Sequence, residues 1–146
     1  MNNPATGTTT MPHRQMSNED YRKYFKLRTD RGDVFSVRAV DAKQDNKHAR
    51  EEGFEVICKE LPNDNVLVKT PHEAVAISWA NMANEVLHMM EKDGVREDKI
   101  PVSHFEMMAK AHEIHGLDAN IGQHVAPKVI EQVAHFYKKL QEAGKR

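Results

Sequence analysis

The sequence predicts an α+β fold: a small antiparallel sheet of two hairpins with one inserted short helix, followed by three C-terminal helices. Stretches of alternating polar and apolar residues fall in the first half of the chain, as in half-buried strands. Two helix-start boxes, Thr70-Pro71-His72-Glu73 and Ser103-His104-Phe105-Glu106, fall in the second half. In such a box a hydroxyl accepts from the backbone N–H three residues on, while the glutamate reaches back to the first N–H.

The chain has the size and composition of one globular domain. It has 146 residues, a net charge of −1, 39% hydrophobic residues and 29% charged residues. The single cysteine, Cys58, excludes an internal disulfide and a cysteine-rich zinc site, and its predicted strand position favours a small core residue. We see neither a secretory signal nor an apolar run of the roughly 20 residues that cross a bilayer. The expected location is therefore intracellular (cytoplasmic) or in a virion.

Residues 1–16 differ from the rest, since they are rich in Asn, Thr, Pro and Gly and have no apolar periodicity. We expect an extended N-terminal arm over 1–16 and a single α+β domain over 17–146. An arm of this composition gains little by folding alone, so we expect it to contact a neighbouring chain.

The first predicted hairpin covers residues 21–40, with its turn at Asp30-Arg31-Gly32-Asp33. Gly32 supplies the positive φ that a short loop requires. A short, mostly polar helix over 41–52 follows, which Gly53 ends as a left-handed cap.

The second predicted hairpin joins residues 54–61 to 66–69 through the turn-rich Pro62-Asn63-Asp64-Asn65. Three amphipathic helices then cover 71–93, 103–115 and 127–143, and a glycine follows each of them. We expect all three helices to pack on one face of the sheet.

Histidine, a residue that can bind metal ions, is unusually frequent in this chain, with nine copies. His104, His112 and His115 form the densest group, and they are candidate ligands of a metal ion. His112 and His115 are three residues apart, whereas the metalloprotease motif needs a spacing of four. The alternative is that these histidines lie at the edge of an apolar stripe and bond to backbone or water.

Basic residues on the first predicted strand form a second candidate site. Cations interleaved with an aromatic residue on a sheet can hold phosphates and stack a base. The alternative is a solvated sheet face, on which Lys and Arg prevent sheet-to-sheet pairing. The candidate phosphate or nucleic-acid ligands are Arg22, Tyr24, Lys26, Arg28 and Arg38.

Methionine is concentrated on the first two of the three helices. It packs cores, and it is also common on adaptable binding surfaces. Three apolar stripes exceed what a four-stranded sheet can cover, so we expect some of this surface to contact another chain. The candidate interface residues are Trp79, Met82, Met89, Met90, Met107 and Met108.

The sequence contains no glycine-rich phosphate loop and no nucleophile elbow, and it predicts neither catalytic residues nor a cofactor. We expect a non-enzymatic interaction or assembly protein, a small subunit of a homo-oligomer or of a larger complex. Its general character is that of a phage virion component or a phage-encoded inhibitor, with a protein partner and no membrane. The alternatives are a nucleic-acid or nucleotide-phosphate-binding module and a His-ligated metal enzyme.

Overall fold

The computed structural model describes residues 18–41, 43–44, 49–50, 52–118 and 120–146, so the predicted arm over 1–16 lies outside the described residues. The fold is α+β, with a small antiparallel sheet followed by helices. In chain order the elements are α1 (Asn18–Tyr24), β1 (Phe35–Val40), β2 (Lys43–Gln44), β3 (Ala49–Arg50), β4 (Gly53–Cys58), β5 (Val66–Thr70), α2 (Glu73–Lys92), a short 3-10 helix (Glu97–Lys99), α3 (Val102–Glu113) and α4 (Ile121–Glu142).

The main sheet has three antiparallel strands in the order β1-β4-β5, and β2 pairs with β3 as a separate ribbon. The predicted hairpin over 54–69 is confirmed as β4 and β5. Asp64, in its turn, has a φ of 49°, which Asp and Asn tolerate better than other side chains do. Opposite Val56 and Ile57 the register shifts, because Leu67 is an extra residue between Val66 and Val68.

The first predicted strand is wrong, because residues 18–24 form helix α1. Tyr21 and Phe25 are four residues apart, a spacing that places both on one face of a strand and also one turn apart on a helix, and their rings lie 5.1 Å apart. Glu19 pairs with Lys23 across the same turn at 3.1 Å. The predicted turn is present nonetheless, since Gly32 donates to the Thr29 carbonyl and has a φ of 95°.

The inserted helix over 41–52 is also wrong in the part of it that the structure describes, where β2 pairs with β3. Gly53 is not a helix cap: it begins β4 opposite Val40. A Cβ at Gly53 would lie 3.0 Å from the Thr70 carbonyl oxygen, so glycine is needed here for close approach of two strands.

The three C-terminal helices are confirmed, with small differences at their starts. Thr70 Oγ1 accepts from the His72 N–H rather than three residues on, and α2 begins at Glu73. Ser103 lies inside the first turn of α3. Helix α4 begins at Ile121 and includes Pro127. Positive φ angles at Gly94, Gly116 and Gly144 follow the helices.

Only α2 lies broadly against the sheet, and α3 and α4 pack against α2 and against each other. Helix α2 is therefore central. Ser78, Asn81 and Glu85 lie on the polar side of this helix, and they are buried together with the apolar stripe. The polar side of this helix has become part of the interior, and it positions the site described next.

Candidate functional site

A small polar cleft lies where the loop after α1 meets α2 and the start of α3. We call it the Arg31 cleft, and its volume is about 140 Å³. The charged and polar residues that line it are Arg28, Asp30, Arg31, Asn81, Asn84, Glu85, Ser103 and His104. It is smaller than the pockets of drug-sized ligands, so it suits a small molecule or the charged end of a larger one.

Two asparagines of α2 hold the loop that supplies the arginines. Asn81 accepts from the Arg28 N–H at 2.8 Å and donates to the Lys26 carbonyl at 3.0 Å. Asn84 accepts from the Phe35 N–H at 2.9 Å and donates to the Phe35 carbonyl at 3.0 Å. Because both ends of the loop are fixed to one helix, Arg28 and Arg31 are held beside Glu85.

The carboxylate of Glu85 contacts two other side chains of the cleft. Its Oε1 lies 3.2 Å from His104 Nε2, and its Oε2 lies 3.4 Å from Arg31 Nε. Glu85 is only 5% exposed and His104 only 7% exposed. Desolvating a carboxylate is costly unless donors compensate it. The two contacts supply that compensation and fix the orientation of the imidazole and the guanidinium.

The arginines remain accessible at the mouth of the cleft. The side chains of Arg28 and Arg31 are 44% and 49% exposed. Arg28 Nε lies 3.9 Å from Asp30 Oδ1, so each arginine meets its carboxylate through Nε. A guanidinium has five N–H donors. Within the described part of the chain, the terminal nitrogens of both groups make no hydrogen bond, so they are available to an oxyanion.

The structure separates the residues predicted to bind phosphate on one strand face. Tyr24 ends helix α1, whereas Lys26 and Arg28 lie in the loop after it. Arg22 lies in α1, and its side chain is outside the described set. Of the candidate residues whose side chains are described, Arg28 alone lines the Arg31 cleft.

Arg38 belongs to a different surface, the face of the sheet that α2 does not cover. It pairs with Glu55 on β4, and Lys69 on β5 approaches the same carboxylate at 3.7 Å. The three residues are register partners across the strands. Arg38 and Lys69 are thus both near the same carboxylate, and Glu55 itself is only 8% exposed.

The candidate metal histidines are not brought together. His104 contacts Glu85, and His112 Nδ1 lies 2.7 Å from the Met108 carbonyl oxygen. His115 stacks on His72, with ring centroids 4.0 Å apart. Among the described residues there is no group of three or more His, Cys, Asp or Glu that could hold a metal ion. The prediction of a histidine metal site therefore has no geometry to support it in this part of the chain.

The candidate interface residues lie in or against the core of the single chain. Trp79, Met82, Met107 and Met108 are buried, and Met89 and Met90 are partly buried against the same cluster. The exposed large apolar side chains in the described regions are Tyr24, Val102 and Leu117. The apolar stripes of α2 and α3 are therefore largely covered within the single chain, with Val102 at the start of α3 as an exposed exception.

Sequence reasoning missed Arg31 and Glu85 and gave His104 a different role. One signal for Glu85 was available. Residues 73–87 contain no Lys or Arg, and the polar side of that segment consists mainly of Ser and Asn. These are poor helix formers, whereas exposed helix faces are usually rich in charged residues. A polar face of this kind indicates buried hydrogen bonding.

No family model, curated protein or solved structure matches this chain. In the described part of the chain, none of the helices combines the length and apolar character needed to span a membrane. Any proposal about function therefore rests on the geometry of the described residues, of which the Arg31 cleft is the most polar and enclosed part.

Proposed function

We propose that this protein binds a small ligand through an oxyanion group, a carboxylate or a phosphate, held in the Arg31 cleft. The observation that supports this most directly is the buried Glu85–His104 pair beside two half-exposed arginines. A buried carboxylate such as that of Glu85 is costly to keep in a fold. Polar groups that converge on one cleft are the groups that fix the orientation of a ligand.

Each group has a part in this binding. The terminal nitrogens of Arg28 and Arg31 donate to the oxyanion, since guanidinium groups form paired, charge-assisted hydrogen bonds with such oxygens. Ser103 adds a hydroxyl donor at the same cleft. Glu85 is a positioning residue, because it acts on the ligand only through Arg31 and His104.

This proposal develops the predicted phosphate-binding alternative with a corrected set of residues. Arg28 stays in the set, Arg31, Ser103 and His104 join it, and Arg38 leaves it. The assembly hypothesis rests on the arm over 1–16, which lies outside the described residues, and on uncovered apolar helix faces, most of which the described residues bury within one chain. We therefore favour ligand binding over assembly.

Calorimetric titration with acetate, inorganic phosphate and glycine tests the proposal, using the full chain at fixed ionic strength. We expect at least one probe to bind, and Arg31→Ala to weaken it about tenfold or more, the typical effect of losing a charge-assisted hydrogen bond. Arg38→Ala is the matched control, since that arginine is also half-exposed but lies on the sheet face. Absence of binding by all three probes, or equal losses in both variants, would refute the proposal.

A further inference from the structure

The arginines and the carboxylates around the Arg31 cleft are equal in number. Two guanidinium groups, from Arg28 and Arg31, stand against two carboxylates, from Asp30 and Glu85. A phosphate monoester carries a charge of about −1.5 to −2 near pH 7, and it would meet both carboxylates at close range. A cleft of this composition is poorly suited to a dianion, although it can hold a single negative group on its arginines.

A ligand with one negative and one positive group preserves this balance. We infer that the ligand is a small zwitterion with a carboxylate and an ammonium group, as in a free amino acid. This inference rests on the oxyanion site proposed above. Its carboxylate bonds to the terminal nitrogens of Arg28 and Arg31. Its ammonium group bonds to Asp30.

Asp30 is the better of the two carboxylates for the ammonium group. Both oxygens of Glu85 are already engaged, by His104 and by Arg31. The contact of Asp30 with Arg28 is long, at 3.9 Å, and uses Oδ1. Asp30 is also the more open of the two, since its side chain is 64% exposed against 7% for Glu85.

The size of the cleft agrees with such a ligand. A water molecule occupies about 30 Å³ in the liquid, so 140 Å³ corresponds to about five waters. This is enough for the amino-carboxylate end of an amino acid with a short side chain. A nucleotide would project almost entirely outside the cleft.

Matched pairs of ligands test the inference, because they differ only in the ammonium group. Glycine is compared with acetate, and L-alanine with propionate, by calorimetric titration of the full chain. We expect the amino acid of each pair to bind at least about tenfold more tightly than its carboxylic acid, as charge-assisted hydrogen bonding predicts. Methylamine, which lacks the carboxylate, should bind more weakly than glycine.

The variant Asp30→Asn tests whether Asp30 binds the ammonium group of the ligand. It should reduce the affinity for the amino acid to that of the matched carboxylic acid and leave the carboxylic acid itself nearly unaffected. Asp33→Asn is the control, since Asp33 is a nearby exposed aspartate that pairs with Lys59 outside the cleft. Both aspartates are exposed, so neither variant should unfold the protein, and circular dichroism verifies this.

The outcomes separate the two proposals. If acetate or phosphate binds as tightly as either amino acid, the zwitterion inference is wrong while the oxyanion site stands. If the amino acids bind more tightly but Asp30→Asn keeps the difference, the assignment of the ammonium contact is wrong. Absence of binding by every probe overturns both proposals together.

Discussion

The side chain of Asn84 makes the two hydrogen bonds that a neighbouring strand would make with Phe35. Its Oδ1 accepts from the Phe35 N–H and its Nδ2 donates to the Phe35 carbonyl, at 2.9 and 3.0 Å. Both residues are fully or nearly fully buried. Helix α2 is thereby joined to the first residue of β1 by paired polar bonds inside the core.

Replacing Asn84 with Ala or Leu should destabilise the fold strongly. Either change leaves the Phe35 N–H and carbonyl buried without partners, and each unpaired group costs about 1–3 kcal/mol. We therefore expect the free energy of unfolding in urea to fall by about 2–5 kcal/mol. Asn63→Ala, in the exposed β4–β5 turn, should change it by no more than about 0.5 kcal/mol. Similar effects of the two substitutions would show that the Asn84 bonds do not hold the core together.

Replacing Met82 tests whether the methionines of α2 pack in the core or form an interface with another chain. Met82 is completely buried in the single chain, so Met82→Ala should leave a cavity and cost about 2–5 kcal/mol of stability. Val102→Ala removes an exposed apolar side chain and should have little effect. Urea unfolding measures the stability and light scattering measures the mass. A Met82→Ala variant of normal stability but altered mass would support the interface instead.

The stacked imidazoles of His72 and His115 predict a loss of stability in mild acid. Burial lowers the pKa of His115 from its usual 6.5, and the neighbouring His72 and His112 lower it further. The unfolded chain therefore takes up this proton more readily than the native one. The stabilising contribution is present above pH 6.5, and it is lost as the pH falls from 6.5 through the native pKa of His115.

The variant His115→Phe keeps a stacked ring and removes the titrating group. We expect the urea midpoint to depend less on pH between about pH 7.5 and pH 5 in this variant than in the native chain. Since the Nε2 of His115 is buried without a hydrogen-bond partner, the loss of that atom should cost little at neutral pH. His124→Gln, which changes an exposed histidine, provides the comparison. An unchanged pH dependence in His115→Phe would exclude His115 as its source.

Cys58 should be inert in the native protein. Its side chain is fully buried on β4, and burial raises the pKa of the thiol above its usual 9.0. Only the thiolate reacts readily with disulfide reagents. The Cys58 thiol should therefore react only when the fold opens and exposes it. We expect slow reaction with such a reagent in buffer and rapid reaction in concentrated urea. Rapid labelling of the native chain would mean that β4 opens easily.

The sequence predicts the second hairpin and the C-terminal helices well, because their signals are local. The Pro62–Asn65 turn and the glycines after each helix act within a few residues. Helix α1 was misread because Tyr21 and Phe25 satisfy a strand repeat of two and a helical spacing of four equally well.

The Arg31 cleft could not be predicted in this way, because contacts between distant parts of the chain create it. Asn81 and Arg28 are 53 residues apart, and Glu85 and His104 are 19 apart. No periodicity reveals which loop a buried amide will bind. What the sequence does show is the unusual polar side of α2, which indicates burial without naming the partner.

The outer edge of β5 has a consequence for how this protein behaves in concentrated solution. Gln132 and Lys139 of α4 donate to the carbonyls of Leu67 and Asp64, at 3.3 and 3.1 Å. An edge strand with free backbone groups is a template on which a foreign strand can add. The Asp64 carbonyl lies in the turn before β5, so the Leu67 carbonyl is the one on this strand that α4 engages. Because of that bond, and because Leu67 interrupts the regular ladder, the addition of a foreign strand along β5 is disfavoured.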